Sequence, residues 1–158
     1  MLPLGLVVDR LCGLVGPGQL GRVALSARLA EMADWPMPAV CVMPGDDRAA
    51  SAGEHAPQLI DVEMLVVVAV RNLADGRGEG ALTALQPARL LIYSNLVGWV
   101  PEPGDFGVGV RAAGAVRWAG GRVLAVDNAV IIWADSYVVP ISITPPASPG
   151  EQPEWGQL

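Results

Sequence analysis

Histidine, cysteine and lysine are scarce or absent in this sequence. Its 158 residues include one histidine, two cysteines and no lysine. Zinc sites usually combine several histidine and cysteine ligands, so a zinc centre is not predicted. The one histidine, His55, lies in a polar stretch, and the sequence has no G-x-S-x-G elbow for a serine hydrolase. We therefore predict no catalytic residue, no metal site and no cofactor, and do not expect an enzyme.

Long apolar runs are absent as well. A membrane-spanning helix needs about 20 consecutive apolar residues, but acidic residues interrupt the apolar stretches 59–70 and 123–143. The first ten residues lack the basic region of a signal peptide. Neither a membrane segment nor a secretory signal is predicted.

Basic charge is limited to ten arginines, and the formal net charge is −6. An acidic chain without a basic run is a poor candidate for specific nucleic-acid binding. The two cysteines, Cys12 and Cys41, lie in unrelated contexts. Free thiols in a reducing compartment are the simplest interpretation, and a disulfide between them stays open.

Apolar residues are unusually abundant. The chain is 52% hydrophobic and 16% charged, whereas about a quarter of the residues in a soluble domain are normally charged. Because a membrane span is not predicted, we expect this apolar surface to be buried against protein partners.

Hydrophobic spacing and turn residues predict the order of elements. We expect a helix over 2–15, a short strand over 22–25, a short helix or ordered loop over 26–36, a strand over 38–45, an exposed loop over 46–58, a strand over 59–72 and a helix over 79–97 that Pro87 kinks or splits. Three further strands follow, with hairpin turns at Gly120–Gly121 and Asp127–Asn128.

This order indicates an α+β fold, in which a mostly antiparallel sheet carries two helices on one face. Residues 1–143 are predicted to form a single domain and 144–158 a flexible tail rich in proline and glycine. The last strand, 130–143, is mostly apolar on both faces. If the helices cover one face, the other is left for something outside the chain.

Several short patterns imitate functional motifs. Residues 16–21 match G-x-G-x-x-G but follow a helix, and residues 75–80 lack the Gly-Lys-Ser/Thr of a phosphate loop. We interpret them as a helix terminator and a connection. The Asp46–Asp47 pair and the pair of Asp127 with Asp135 offer oxygen ligands to a divalent cation, but no coordination spacing supports such a site.

Two longer segments carry a family resemblance. Segment 66–103, VVVAVRNLADGRGEGALTALQPARLLIYSNLVGWVPEP, resembles the central part of bacteriophage tail terminator proteins, where a strand ends in Arg-Asn and a helix closes on Leu-x-Gly-Trp-x-Pro. Segment 118–138, WAGGRVLAVDNAVIIWADSYV, is similar to the family's C-terminal meander. The resemblance covers about 37–143 and, more weakly, the N-terminal helix. The departures are Ile132 in place of a second aromatic, the helix proline, and the segment after Thr144.

The resemblance implies a structural role in the virion. Such proteins form a ring, usually of six subunits, at the head-proximal end of the tail tube, after assembly in the host cytoplasm. The ring stops tube growth and offers a surface to a head-completion or neck protein, while DNA passes through its lumen without specific binding. The first alternative is another head–tail connector, such as a neck adaptor or a head-completion protein, and the others are a small hydrolase and a tube or sheath subunit.

Arginine and aromatic residues are the candidates for contacts with the neighbouring subunit or the tube, because both are enriched at interfaces. For the aromatic residues, packing in the core of the domain is the alternative interpretation. We expect the second sheet face, including Asp135 and Tyr137 or their neighbours, to be covered by such a partner. The predicted interface residues are Arg71, Arg77, Arg117, Trp118, Arg122, Asp127, Trp133, Asp135 and Tyr137.

Overall fold

A computed structural model describes residues 3–25, 29–51, 57–71, 79–127 and 130–144. It contains two α-helices, two short 3₁₀ helices and six strands. In chain order they are α1 (Leu4–Cys12), β1 (Arg22–Leu25), a 3₁₀ helix (Leu29–Asp34), β2 (Ala39–Ser51), β3 (Gln58–Arg71), α2 (Glu79–Leu96), a 3₁₀ turn (Pro103–Asp105), β4 (Val110–Ala112), β5 (Arg117–Asp127) and β6 (Val130–Ile143).

The strands form one sheet in the order β1-β2-β3-β6-β4, with β5 also paired to β6. Only β1 and β2 run parallel, and every other pairing is antiparallel. Strand β6 pairs with β3 along its whole length, and β5 and β4 share its other edge. The predicted α+β fold with a mostly antiparallel sheet is confirmed.

Both helices pack on the same face of the sheet. Val7 and Leu11 of α1 are four residues apart, so they lie on one side of that helix and are buried. From α2, the buried residues recur at intervals of three or four, which is the spacing of one helix face. They pack against the alternate residues of β3 that point toward the helices. Together these residues form most of the main core: Leu85, Ala88, Ile92 and Leu96 of α2 with Val62, Met64, Val66, Val68 and Val70 of β3.

The opposite face is partly covered by the chain itself. The segment 29–37, which contains the first 3₁₀ helix, packs Met32, Trp35 and Met37 against the sheet. Their partners are small or β-branched residues of three central strands: Ala39, Cys41, Val67, Ala69, Val130 and Ala134. The expectation that this face is wholly left for a partner is therefore wrong for the half beneath segment 29–37.

Helix α1 ends at Cys12, three residues before its predicted end, and two other elements differ more strongly from the prediction. The stretch 46–51, expected in an exposed loop, continues β2, because pairing with β3 resumes after a bulge between Pro44 and Asp47. Gly120–Gly121, expected to form a hairpin turn, lies inside β5. Gly120 has φ +149° and stands where the register with β6 shifts, so the glycine pair forms a bulge and one long hairpin replaces the predicted meander.

Other local expectations can be compared with the described residues. Helix α2 runs from Glu79 to Leu96 as one element across Pro87, which neither ends nor splits it. Cys12 is exposed and Cys41 is buried, and no disulfide joins them. Among the helices described, none combines the length and apolarity that a bilayer crossing requires. The predicted tail falls outside the described residues beyond Thr144.

Candidate assembly interface

A bidentate ion pair joins α2 to the centre of β6. Asp135 points from β6 toward the helices and is 2% exposed. Arg89 Nε and one terminal guanidinium nitrogen each donate to a different Asp135 carboxylate oxygen, at 2.7 Å in both cases. A planar guanidinium matches a carboxylate in this two-point arrangement, so the pair fixes the relative placement of helix and strand.

Two indole rings complete the surroundings of Asp135. Trp118 Nε1 and Trp133 Nε1 donate to the same carboxylate oxygen, at 3.0 and 3.1 Å. The Arg89 guanidinium also lies over the Trp133 ring, 4.3 Å from its centroid. Gly121 of β5 makes this approach possible, because a Cβ there would lie 2.3 Å from the Asp135 carboxylate oxygen and 2.8 Å from Trp133 Nε1.

The hydrogen bonds determine the charge state of Asp135. Burial by itself raises the pKa of this carboxyl, but donation from Arg89, Trp118 and Trp133 outweighs burial and holds the pKa below its usual value. The bond to Asp135 raises the pKa of Arg89 in turn. Burial raises the pKa of the neighbouring Tyr137 hydroxyl. Asp135 and Arg89 are therefore both charged at neutral pH.

Acid is expected to weaken the fold through Asp135. Because its folded pKa lies below the unfolded value, the ion pair stabilises the fold above about pH 4, and this contribution is lost as the pH falls through the folded pKa. Urea unfolding of the wild type and of Asp135→Asn between pH 7 and pH 3 measures the effect. The stability difference between the two proteins should shrink below pH 4. A constant difference would contradict the assignment, and Asp61→Asn, in an exposed ion pair, is the control.

A polar groove occupies the uncovered half of the opposite face. Its volume is about 600 Å³, and β2, β3, β5 and β6 all contribute to its lining. The Ser136 hydroxyl donates to Glu63 and lowers the pKa of that carboxyl, which also accepts from the Asp46 backbone N–H at 3.1 Å. At its margin, Arg117 forms an exposed ion pair with Asp61 at 2.6 Å. The groove therefore presents mixed charges, and two of its carboxylates, Asp61 and Glu63, have partners within the chain.

The structure divides the predicted interface residues between the two faces. Asp135 and Tyr137 face the helices and are buried, so they do not lie on the opposite sheet face where they were expected, and their neighbours Ser136 and Val138 do. Trp118 and Trp133 share the helix face with Asp135. Arg117 and Arg122 are in register with residues of β6 that point to the opposite face, so they lie on that face. Arg71 lies apart, at the end of β3, where it donates to the Ala33 carbonyl at 2.6 Å. Arg77 and the Asp127 side chain lie outside the described residues.

Arg89 is the residue that the sequence reasoning missed. A signal was present, because Arg89 follows the buried Leu85 by four residues and precedes the buried Ile92 by three, which places it on the core side of α2. A charged residue at such a position requires a buried partner of opposite charge. The outward side of α2 was missed as well, although it exposes Leu82, Leu90 and Tyr93.

Within the described ranges, no group of three or more histidine, cysteine, aspartate or glutamate residues is placed to hold a metal ion. The Asp46–Asp47 pair lies on β2, on the far side of β3 from Asp135. Asp135 is engaged by Arg89 and two indoles, so its oxygens are already used. The two distinctive features of the structure are the Arg89–Asp135 ion pair and the apolar side chains that α2 exposes beside it, Leu90 and Tyr93.

Comparison with known proteins agrees with the resemblance noted from the two segments. A family model described as phage tail terminator protein matches residues 1–147. The match extends beyond the segments that carry the resemblance and includes α1, β1 and the 3₁₀ segment. No curated protein matches the chain.

Proposed function

The chain belongs to the phage tail terminator family, a family of structural proteins of the phage tail, and on this basis we propose that its copies close into a ring. We propose six copies, which cap the head-proximal end of the tail tube. The ring stops further addition of tube subunits and presents a surface to a head-completion or neck protein. This is a binding function without turnover.

The observation that carries the proposal is the family match over almost the whole chain. The distribution of apolar surface supports it, because exposed apolar residues lie at both edges of the sheet: Leu25 on β1 at one edge, and Trp118, Val123 and Val126 on β5 at the other. A closed ring uses two different patches per subunit, since each contact joins unlike surfaces. Apolar patches at opposite edges meet that requirement.

The charge balance fits passage of DNA through such a ring. With a net charge of −6 and no lysine, a ring of six copies has a large negative charge, and acidic groups around a lumen repel the phosphate backbone and prevent sticking. Imaging of the assembled ring tests this point. We expect aspartate and glutamate side chains around the lumen, and their confinement to the outer rim would contradict it.

The mass of the purified protein tests the ring. Light scattering on a sizing column, across protein and salt concentration, is expected to show a species of about 98 kDa, six times the 16.4 kDa chain. Open polymers of increasing length would indicate a tube or sheath subunit instead. A monomer calls for a second measurement, binding to isolated tail tubes by electron microscopy. Attachment to one tip supports capping, and absence of attachment overturns it.

A further inference from the structure

The outward side of α2 and the first half of β5 enclose an apolar notch. Its cavity is about 340 Å³. The rim is formed by Gln86, Leu90 and Tyr93 of α2 and by Trp118 of β5, and Arg89, Asp135 and Tyr137 lie at its base. Leu90 is 67% exposed and Trp118 is 45% exposed. We call this feature the α2–β5 notch.

The notch continues along β5. Val123 and Val126 pair with Trp133 and Ile131 of β6, so both point to the helix side of the sheet. They are 46% and 67% exposed, and α2 packs chiefly over β3 and β6. Clustered apolar side chains of this kind are typical of a surface that binds another protein.

The base of the notch favours an apolar occupant. The Asp135 carboxylate receives both Arg89 bonds and both indole bonds. A hydrocarbon side chain placed over this pair leaves no charge without a partner, so the cost of burying an unpaired ion does not arise. An incoming ionic group would find no free oxygen on Asp135.

Strand addition is a poor way to fill this surface. Strand β5 contains two register shifts against β6, between Trp118 and Gly120 and between Val123 and Ala125. Such bulges bend a strand and break the even spacing of its outer hydrogen-bonding groups, which hinders pairing with a new strand. The geometry therefore favours docking through side chains.

The opposite edge of the sheet offers a matching side chain. Leu25, the last residue of β1, is 57% exposed. The registers place Leu25 beside Val42, Val42 beside Val66, Val66 beside Asp135, and Asp135 beside Gly121, all in one row across the sheet. This row spans about 19 Å at the usual strand spacing of about 4.8 Å. Leu25 and the α2–β5 notch therefore lie at the two ends of one row, on the helix side of the sheet.

Charge distinguishes the two edges as well. Strands β4 and β5 carry three exposed arginines, Arg111, Arg117 and Arg122. The other edge is balanced, because β2 exposes Asp46 and Asp47 alongside Arg48, and β1 exposes Arg22. Repulsion among the arginines therefore disfavours contact between two β5 edges, whereas contact with the balanced edge carries no such penalty.

We propose that Leu25 of one copy inserts into the α2–β5 notch of a second copy, so that opposite edges of the two sheets meet head to tail. The inference rests on the proposed function, since it names the contact from which the ring is built. Each copy offers one notch and one Leu25, and repetition of the contact around an axis closes without leaving either unfilled.

Cysteine cross-linking tests the contact directly. In a Cys12→Ser background, Leu25→Cys and Leu90→Cys are prepared separately, and both replace exposed side chains. After mixing and mild oxidation, we expect disulfide-linked dimers in the mixture and none in either variant alone. The chain that carries both substitutions is expected to give a ladder of linked oligomers. The matched control is Leu90→Cys mixed with Val108→Cys, because Val108 is a fully exposed valine outside the proposed contact.

The rates decide the result, because a docked pair is held at an effective concentration far above that in bulk. We expect the Leu25–Leu90 pair to link about tenfold faster than the control or more. Equal rates would overturn the proposal. Rapid linking of Leu90→Cys to itself would also overturn it, because this result indicates a two-fold contact between identical patches.

A charge variant separates this inference from the proposed function. Leu90→Glu is expected to remove the ring species or to abolish capping of isolated tubes, whereas Val108→Glu retains both. If Leu90→Glu still forms rings or caps tubes like the wild type, the contact is wrong and the function stands. If the wild-type chain neither forms a ring nor attaches to a tube end, the proposed function fails with it.

Discussion

Replacing Arg89 with alanine is expected to destabilise the folded chain by about 3 to 5 kcal/mol. The substitution leaves the Asp135 carboxylate, 2% exposed, without its guanidinium partner, and removal of one member of a buried ion pair typically costs this much. Urea unfolding measures the loss of stability. Tryptophan fluorescence is a suitable signal, because Trp118 and Trp133 both donate to Asp135.

The chain contains a matched control for this experiment. Arg117 also pairs with an aspartate, Asp61, but its side chain is 58% exposed. Exposed pairs contribute about 1 kcal/mol or less, so Arg117→Ala should have a small effect. Equal losses for the two alanine variants would contradict the importance assigned to the buried pair. The double variant Arg89→Met with Asp135→Leu should be more stable than Arg89→Ala, because no unpaired charge is left.

Gly121→Ala is the second substitution with a large expected effect. The added methyl group would lie 2.3 Å from the Asp135 carboxylate oxygen and 2.8 Å from Trp133 Nε1. Neither group can move without loosening the ion pair or the indole bond, so we expect a loss of about 2 kcal/mol, in the range of overpacked cores. Thermal or urea unfolding measures the change.

Gly5→Ala provides a control of opposite sign. Gly5 lies in α1, and a Cβ there meets nothing within 4 Å. Alanine favours the helix over glycine by about 0.5 to 1 kcal/mol, so this variant should be slightly more stable than the wild type. A neutral result for Gly121→Ala would show that β5 shifts away from β6 without cost, and that the close approach is not needed for stability.

The sequence predicted the parts of this fold that depend on local periodicity. The alternation of β3 and the spacing of α2 follow from residues close in the chain, and both elements lie where they were expected. The partner of Asp135 was not predicted, because Arg89 is 46 residues away and nothing local connects them. Similarly, no period links segment 29–37 to the sheet face it covers. These contacts arise from packing between elements distant in sequence.

Gly120 and Gly121, predicted to form a hairpin turn, show a related limit. A Gly-Gly pair is typical of a tight turn, but Gly121 is used here for its lack of a side chain against Asp135 and Trp133. The difference depends on what lies across the strand, which the local pattern does not contain. The two segments that carry the family resemblance contain Arg89 and Asp135, one in each, but the resemblance did not connect these two residues.

The Arg89–Asp135 pair has a consequence for the rotation of α2 about its own axis. The helix carries large apolar residues on both its buried side, at Leu85 and Ile92, and its exposed side, at Leu82 and Leu90. Hydrophobicity alone distinguishes these two orientations poorly, because either side can cover the sheet. A turned helix would carry Arg89 away from Asp135 and leave a buried carboxylate unpaired, a cost that apolar contacts on the wrong side do not offset. The ion pair therefore fixes the orientation of the helix. Through it, Asp135 determines which leucines of α2 are exposed.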